Sequence, residues 1–439
     1  MTDFSMLGLK PKLLDVLKEI GIETPTPIQA RAIPEVMQGR DVMGLAQTGT
    51  GKTLAFGLPL MHMCYSDGSK PAPKTVRALI LAPTRELVNQ IADGLFPFIK
   101  GSHLKLNRVV GGVSINAQIN RLDRGTDILV ATPGRLMDLI DRKAVRLDET
   151  TFLVLDEADQ MLDMGFIHAL RKLVPMLAKE RQTMLFSATM SKDMNEIAKS
   201  YLTSPIRIEV SPPGKAADKI DQEVHFIPQP DKYELLKELL CDHADELALV
   251  FSRTKHGAER MAKNLVRDGF EAGAIHGNKS QGQRERTLAE AKSGKIKVLV
   301  ATDVAARGID IPAVRHVYNY ELPNVPENFV HRIGRTARAG RDGKAVAFCS
   351  PTELDDFRAI EKVMKIRIPI ATPASWAADG MKAEPKPKPQ GGRRRGGGNG
   401  GGAPRGANAG GKPRAKQGGN PAGKPGGAKG RPSRQRRRG

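Results

Sequence analysis

The sequence has 439 residues, 40% hydrophobic and 27% charged, which is typical of a soluble protein long enough to bury two hydrophobic cores. This composition excludes a collagen, a coiled coil and a disulfide scaffold. The cysteines Cys64, Cys241 and Cys349 lie far apart and form no CxxC pair, so we predict free thiols, no metal knuckle and a cytoplasmic location. No apolar run approaches the about 20 residues of a membrane span, and the N-terminus lacks the pattern of a signal peptide, so we expect neither a membrane anchor nor secretion.

Between residues 31 and 210, short apolar runs alternate with segments of helical pattern. The runs are continuous rather than alternating, which is typical of strands buried on both faces of a parallel sheet. One such run alone would also fit a buried helix, so the prediction depends on their shortness and regular spacing. The predicted strands are Val42–Ala46, Ala78–Pro83, Asp127–Ala131, Phe152–Leu155 and Thr183–Ser187, and the predicted helices include Arg85–Ile99 and Met190–Tyr201.

A second series of the same kind begins after the segment Ser211–Lys215, where Pro212, Pro213 and Gly214 interrupt regular structure. Its predicted strands are Val224–Ile227, Leu247–Ser252, Gly273–His276, Val298–Thr302, His316–Tyr320 and Ala345–Cys349, with helices near 231–242, 256–268 and 281–293. We therefore predict an α/β protein with an N-terminal segment, a first domain, a linker, a second domain and a tail. Their boundaries are 1–30, 31–210, 211–220, 221–375 and 376–439.

The tail holds most of the positive charge. The whole chain has a net charge of +21, and residues 382–439 carry 17 Lys or Arg against the single acid Glu384. This segment has no aromatic or β-branched residue, so we predict that it is disordered. The arginine runs 393–395 and 436–438, with Arg434, favour a nonspecific nucleic-acid tether, and a solubilising charge run is the alternative.

The segment Ala46–Thr53 reads AQTGTGKT and joins an apolar run to a segment of helical pattern. In that context its glycines allow backbone N–H groups to point at phosphate oxygens, and the helix N-terminus adds positive charge. Lys52 is then expected at the β- and γ-phosphates and Thr53 at Mg²⁺. Ala46 stands where the general pattern has glycine, and a glycine-rich turn is the alternative interpretation.

A second polar signal, Asp156-Glu157-Ala158-Asp159, directly follows the apolar run Phe152–Leu155. A carboxylate at the end of a buried strand near a phosphate loop suits Mg²⁺, which we assign to Asp156. Glu157 suits the orientation of the attacking water. Alone, the tetrad would also fit an acidic helix start.

Together with the loop, this tetrad resembles the DEAD-box family of ATP-dependent RNA helicases. The resemblance covers about residues 2–365, and a dozen motifs stand in register. The matching segments are Gly21–Gln29 with the upstream Phe4, Pro83–Leu87, Gly111-Gly112, Thr132–Arg135, Ser187–Thr189, Val250–Thr254, His276-Gly277 with Gln281 and Arg284, Ala301–Asp303, Arg307–Asp310 and His331–Arg338. The compact N-terminus, small second domain and basic tail resemble the bacterial RhlE-like branch.

The resemblance implies two tandem RecA-like (P-loop NTPase) domains with parallel sheets, and residues 1–30 as the glutamine-motif segment. It implies a catalytic role for Lys52, Glu157, Arg335 and Arg338, the two arginines acting as fingers that we expect to be exposed in an open cleft. The implied ATP-binding residues are Phe4, Gln29, Ala46, Gln47, Thr48, Gly49, Thr50, Gly51, Lys52, Thr53, Asp156, Gly308 and Asp310. In particular, Gln29 would read the adenine edge, Phe4 would stack on the base, and Asp310 would hold the ribose.

The same resemblance implies coupling between nucleotide and RNA through Asp159, Ser187, Thr189 and His331. The implied RNA contacts are Thr84, Arg85, Gly112, Thr132, Arg135, Arg253, Gly277 and Thr302. These residues offer donors for phosphate and sugar rather than for base edges, so we expect RNA binding that is independent of sequence. Ala337 departs from the family, in which many members have glycine there, and we expect its methyl group to be tolerated.

The implied function is an ATP-dependent RNA helicase that uses ATP and Mg²⁺ and closes a two-domain cleft on RNA. A DNA helicase or translocase, and an ATP-gated RNA clamp with little unwinding, are the alternatives. Ribosomal precursors and RNA-degradation complexes are the candidate partners.

Overall fold

The computed structural model describes residues 3–46, 49–210, 220–306, 311, 314–337 and 342–371. The predictions for Gln47, Thr48, Gly308, Asp310 and Arg338, nearly all of the linker, and the tail lie outside the described residues.

The first domain is built on a seven-stranded sheet in which all neighbours are parallel, in the order β3-β4-β2-β5-β6-β1-β7. Its strands are β1 (Val42–Leu45), β2 (Val76–Leu81), β3 (Leu106–Val109), β4 (Thr126–Ala131), β5 (Phe152–Leu155), β6 (Gln182–Ser187) and β7 (Ile206–Glu209). Its helices are α1 (Pro11–Glu19), α2 (Pro27–Met37), α3 (Lys52–Asp67), α4 (Arg85–Ile99), α5 (Ile115–Leu122), α6 (Pro133–Asp141), α7 (Ala158–Asp163), α8 (Ile167–Leu173) and α9 (Lys192–Tyr201), with 3₁₀ turns at Phe4–Leu7 and Val174–Met176.

The second domain has a six-stranded parallel sheet in the order β10-β11-β9-β12-β13-β8. Its strands are β8 (Ile220–Phe226), β9 (Leu247–Phe251), β10 (Ala272–Ile275), β11 (Val298–Ala301), β12 (Val314–Asn319) and β13 (Gly343–Cys349). Its helices are α10 (Lys232–Cys241), α11 (Lys255–Arg267), α12 (Gln281–Lys292), α13 (Asp303–Ala306), α14 (Glu327–Ile333) and α15 (Leu354–Met364), with a 3₁₀ turn at Pro351–Glu353.

Both faces of each sheet are buried, as the continuous apolar runs predict. In β2, Ile80 packs in one core cluster while Leu79 and Leu81 pack in the cluster on the other face. In β9, Leu249 and Val250 divide in the same way between the two clusters of the second domain. The predicted α/β fold with two parallel sheets is therefore confirmed.

Two strands of the first sheet were not predicted. Both β3 and β7 lie at the sheet edges and carry charged residues, among them Arg108 in β3 and Arg207 and Glu209 in β7. An edge strand has one neighbour and keeps contact with water, so its sequence is less apolar than that of a central strand. The pattern that identifies buried strands does not detect it.

Candidate functional site

The glycine-rich loop connects the end of β1 to the start of α3. Gly51 has a φ of +92° and precedes Lys52, the first residue of α3, and a side chain at Gly51 would come within 2.6 Å of Gln29 Nε2. The Lys52 side chain is 6% exposed, and its Nζ donates to the Ala46 carbonyl over 3.1 Å. The ammonium group thus lies inside the loop, where a phosphate group would meet it.

The acidic tetrad lies at the carboxyl end of β5, as predicted. Asp156 is buried, and this burial raises the pKa of its carboxyl group to about 7, against the opposing effect of Lys52 and with a further contribution from Glu157. Glu157 adopts a left-handed backbone conformation with φ of +51°, and its Oε2 atom is buried without a hydrogen-bond partner among the described residues. Lys52 therefore does not fully compensate the buried negative charge.

Such a site fits a divalent cation. An uncompensated carboxylate and an orphaned carboxylate oxygen are hard oxygen donors of the kind that Mg²⁺ takes. The half-buried Thr53 follows Lys52 at the start of α3. The residues present thus agree with the predicted magnesium site, although the metal itself stays a prediction.

Asp159 connects the acidic tetrad to the segment after β6. Its Oδ2 atom accepts hydrogen bonds from the N–H groups of Ala188 (3.0 Å) and Thr189 (2.9 Å) and from Thr189 Oγ1 (3.1 Å). The Ser187 hydroxyl donates to the Thr189 carbonyl over 2.6 Å. The structure brings these three predicted coupling residues together, whereas His331 lies in α14 of the second domain.

The two predicted adenine contacts are both buried. Gln29 accepts from the Thr26 N–H (2.9 Å) and donates to the Gly51 carbonyl (3.0 Å), so its amide ties α2 to the phosphate loop. Phe4 is 3% exposed and belongs to the first-domain core. The roles of Gln29 and Phe4 toward adenine stay predictions, and stacking by Phe4 would require its ring to leave part of that core.

We expected Arg335 to be exposed in an open cleft, but the structure shows it buried. It is 5% exposed, because its side chain folds back onto α14 and Nε donates to the His331 carbonyl over 3.1 Å. Ala337 has a φ of +54°, a conformation that favours glycine, so its methyl group is accommodated at a conformational cost.

Sequence reasoning assigned no role to Arg332, which the structure shows to be a central cation of the second domain. It is 1% exposed and makes a bidentate ion pair with Asp303 at 2.5 and 2.8 Å. It also donates to Asn319 Oδ1 (3.1 Å) and to the Glu321 carbonyl (2.6 Å). Its position beside Arg335 in one motif is the only sequence signal, and that signal does not separate a structural arginine from a catalytic one.

The predicted RNA contacts of the first domain cluster at the carboxyl ends of β2, β3 and β4. Thr84 caps α4 by accepting the Leu87 N–H over 3.2 Å. Gly112, with φ of +74°, faces the Arg85 guanidinium so closely that a side chain there would come within 1.9 Å of Nη1. Arg135 Nη1, from α6 just after Thr132, donates to a backbone carbonyl over 3.1 Å.

The predicted RNA contacts of the second domain follow three adjacent strands, β9, β10 and β11. Thr302 is 9% exposed, whereas Gly277 lies in an exposed turn. Arg253 instead makes contacts inside its own domain, since Nη2 donates to the Leu322 carbonyl (2.9 Å) and pairs with Glu353 (3.2 Å). The Nη2 group of Arg253 is therefore already used within its own domain, so an RNA contact through Nη2 would require these bonds to be exchanged.

The two domains touch through a polar contact. Glu86, directly after Arg85, forms an ion pair with Arg284 of α12 at 3.1 Å, and Gln281 Nε2 donates to Glu86 Oε1 over 3.5 Å. Glu86 is 7% exposed as a side chain. Sequence reasoning matched these residues to motifs but did not predict that they meet.

These observations define the class of the chain as a P-loop nucleoside triphosphatase with two parallel-sheet domains. The DEAD/DEAH box helicase family model matches residues 26–197, and the model of the helicase conserved C-terminal domain matches residues 231–340. The ATP-dependent RNA helicase CshA of Listeria monocytogenes is 43% identical over 376 residues, which cover 86% of this chain and 71% of CshA. The CshA protein of Bacillus cereus is 43% identical over 83% of this chain and 69% of its own length.

Solved structures agree with this comparison. S. cerevisiae Dbp5 bound to RNA and ADP BeF3 aligns with a TM-score of 0.76 at 32% identity, covering 87% of this chain and 98% of Dbp5. Mss116p bound to ssRNA and AMP-PNP aligns with a TM-score of 0.76 at 27% identity, covering 87% of this chain and 82% of that one.

The chain belongs to the DEAD-box family, and it is an ATP-dependent RNA helicase of the DEAD-box type. The relatives compared are CshA proteins, so the assignment to the RhlE-like branch stays a prediction. Among the described helices, none combines the length and apolar character needed to cross a membrane.

Proposed function

We propose that this helicase unwinds short RNA duplexes and remodels RNA–protein complexes locally, by closing the two domains around ATP and RNA and reopening after hydrolysis. The observation that carries the proposal is the buried carboxyl group of Asp156, whose pKa burial raises to about 7 despite the opposing effect of Lys52, next to the orphaned Oε2 of Glu157. A site of this kind is electrostatically incomplete without a cationic ligand. ATP with Mg²⁺ supplies both the cation and the phosphates that Lys52 would bind.

Thr53 and Asp156 would hold Mg²⁺, which would neutralise charge that develops on the phosphates. Lys52 would bind the β- and γ-phosphates from the loop. Glu157 would accept a hydrogen bond from the attacking water through its orphaned Oε2 and orient that water toward the γ-phosphate. Arg335 and Arg338 of the second domain would stabilise the transition state.

RNA would bind along the carboxyl edges of both sheets, without reading the bases. Two connections would link this surface to the nucleotide. Asp159 bonds to Thr189, and Glu86 joins the Arg85 region of the first domain to α12 of the second. Because the contact between domains at Glu86 directly follows the predicted RNA contact Arg85 in the chain, separation of the domains after phosphate release would also disturb the RNA surface.

The test is Glu157→Gln, which keeps the side-chain shape but removes the carboxylate. We expect ATP-dependent RNA binding to persist while hydrolysis stalls, so the complex with ATP should retain labelled RNA far longer than the parent does. Glu149→Gln changes a half-exposed glutamate of the same domain and is the matched control. Equal RNA release from the Glu157 variant and the parent would refute the role of Glu157, and a duplex-displacement assay on the parent separates unwinding from clamping.

For residues 376–439 we propose a nonspecific RNA tether, with ribosomal precursors and RNA-degradation complexes as candidate partners and the cytoplasm as the predicted location. Support comes from its 17 basic residues against one acid over 382–439. Truncation after Ala383 should leave ATPase at saturating RNA nearly unchanged but flatten the salt dependence of RNA affinity. Each lost phosphate contact should reduce the slope of log affinity against log salt by about 0.7 on single strands. Equal slopes would favour the solubilising role.

A further inference from the structure

The turn between β10 and α12, residues His276 to Ser280, carries the predicted RNA contact Gly277. Four of these five residues are exposed or half-buried. Around the position where a side chain of Gly277 would project, no heavy atom of the described residues lies within 4 Å. The Gly277 backbone thus faces open space, which suits the close approach of a phosphate.

His276, the first residue of this turn, is buried at 5% exposure and contacts both the turn and α11. Its Nδ1 atom accepts the Asn278 N–H over 3.3 Å, and its Nε2 atom lies 3.0 Å from Glu259 Oε2. The two ring nitrogens thus serve different partners, one the backbone of the turn and the other a carboxylate of α11. The Lys279 N–H also donates to the His276 carbonyl over 3.0 Å.

Glu259 belongs to α11 and connects this turn to a rigid element. Besides His276, its carboxylate pairs with Lys279 Nζ at 2.8 Å and with Lys263 Nζ at 3.6 Å. Hydrogen bonds from Lys279 and His276 lower the pKa of the Glu259 carboxyl to about 2, so the group is ionised throughout the neutral range. The turn is therefore attached to α11 through two of its own residues.

The other end of the turn is fixed as well. Ser280 and Gln283 form reciprocal hydrogen bonds at the start of α12 (2.9 and 3.3 Å). One helical turn further, Arg284 makes the ion pair with Glu86 of the first domain. A displacement of the turn would thus disturb both the Gly277 backbone and the contact between domains.

We propose that His276 and Glu259 are positioning residues of the RNA site, which hold the turn in the one conformation that presents the Gly277 backbone to an RNA phosphate. The inference rests on the proposed RNA surface. Backbone groups that are already ordered bind a phosphate without the entropy loss of ordering the turn, which for one residue corresponds to about tenfold in affinity.

Two substitutions separate the contacts of His276. In His276→Asn, the side-chain oxygen replaces Nδ1 and still accepts the Asn278 N–H. In His276→Gln, the side-chain amide reaches toward Glu259 but leaves the Asn278 N–H without an acceptor. A residue that merely fills space would make the two variants equivalent.

The experiment measures RNA affinity of the full chain by fluorescence anisotropy on a labelled oligouridylate with a nonhydrolysable ATP analogue. We expect about tenfold weaker binding for His276→Gln, which leaves the Asn278 N–H without an acceptor, and for Glu259→Gln, which removes the ion pair with Lys279. A loss under about threefold is expected for His276→Asn, which keeps the Asn278 contact and leaves the Lys279 pair in place. Affinity for the analogue without RNA should not change. Glu234→Gln, on an exposed ion pair with Lys237 of α10, is the control.

Hydrogen exchange of the Asn278 amide gives a readout that needs no RNA. It should accelerate in His276→Gln and remain slow in His276→Asn. Equal exchange in both variants, or equal RNA affinity in all of them while the parent binds RNA in an ATP-dependent manner, would overturn the inference. Absence of ATP-dependent RNA binding by the parent would instead refute the proposed function itself.

Discussion

At the carboxyl edge of the first sheet, Lys52 faces the buried carboxylates of Asp156 and Glu157, and burial raises the pKa of Asp156 to about 7. In the second domain, two buried cations have several partners each among the described residues. Arg332 has Asp303, Asn319 and a backbone carbonyl, whereas Lys232, fully buried, has Glu353 at 2.5 Å and two carbonyls.

A buried charge is costly unless it is paired, so the two domains use charge for different purposes. At the end of β5, the first domain keeps carboxyl groups whose partners within the fold are incomplete. In the second domain, Arg332 and Lys232 pair with carboxylates of the same domain. These buried pairs stabilise the structure that carries the groups predicted to act on ligands. Equivalent substitutions should consequently damage chemistry in the first domain and stability in the second.

Arg335 is an exception to this comparison, because it lies in the second domain but is predicted to act on ATP. The substitution Arg335→Ala tests it. We expect ATP hydrolysis at saturating RNA to fall by about 10³–10⁵, as for other arginine fingers. Arg267→Ala, on an exposed arginine of α11, should have no effect. A reduction below about tenfold would assign Arg335 to the structural frame.

Lys52→Ala should abolish ATP hydrolysis, with a loss of at least about 10²–10³ because the phosphate cation is removed. The fold should survive, because Asp156 already has a raised pKa and can take up a proton when its cation is gone. Steady-state ATPase and thermal unfolding test the two statements, with Lys199→Ala as the surface control. If Lys52→Ala unfolds the protein as well as abolishing activity, the statement that charge at this site serves chemistry rather than stability is wrong.

Lys232→Met should mainly reduce stability. Removing one partner of a buried pair leaves Glu353 without its nearest cation, which typically costs about 3–5 kcal/mol of unfolding free energy. Urea unfolding measures this loss, and adding Glu353→Gln should recover part of it, because the buried pair then carries no charge while the partly exposed Arg253 loses its Glu353 partner. A loss of less than about 1 kcal/mol would show that the pair contributes little to the frame.

Glu259→Gln should have the smallest effect on stability, and that effect should depend on pH. The pKa of Glu259 is lowered from 4.5 to about 2 in the folded chain, so its stabilisation is complete above pH 4.5 and is lost as pH falls toward 2. At pH 7 the unfolding free energy of the variant should be below that of the parent by about 1 kcal/mol or less, because the pair is partly exposed to solvent. Its melting temperature should accordingly be lower at pH 7 and should converge with that of the parent at low pH. A constant difference across pH would show that packing, not charge, is responsible.

The sequence by itself determined the central strands and the residue types of the site. Strands such as β5 and β9 are buried on both faces, so short apolar runs at regular spacing suffice to predict them. The loop before Lys52 and the tetrad from Asp156 to Asp159 are contiguous motifs, and their occurrence together in one chain suffices to interpret them. The family follows from these same residues.

Only the tertiary structure decided which polar side chains meet across the chain. The pairing of Glu86 with Arg284, of Asp303 with Arg332 and of Asp159 with Thr189 depends on how strand ends are placed side by side, which no local pattern encodes. For the same reason, the sequence could not separate Arg332, which the fold uses as a buried cation, from its neighbour Arg335. A side chain's role is set by the partners that surround it, and those partners come from distant parts of the sequence.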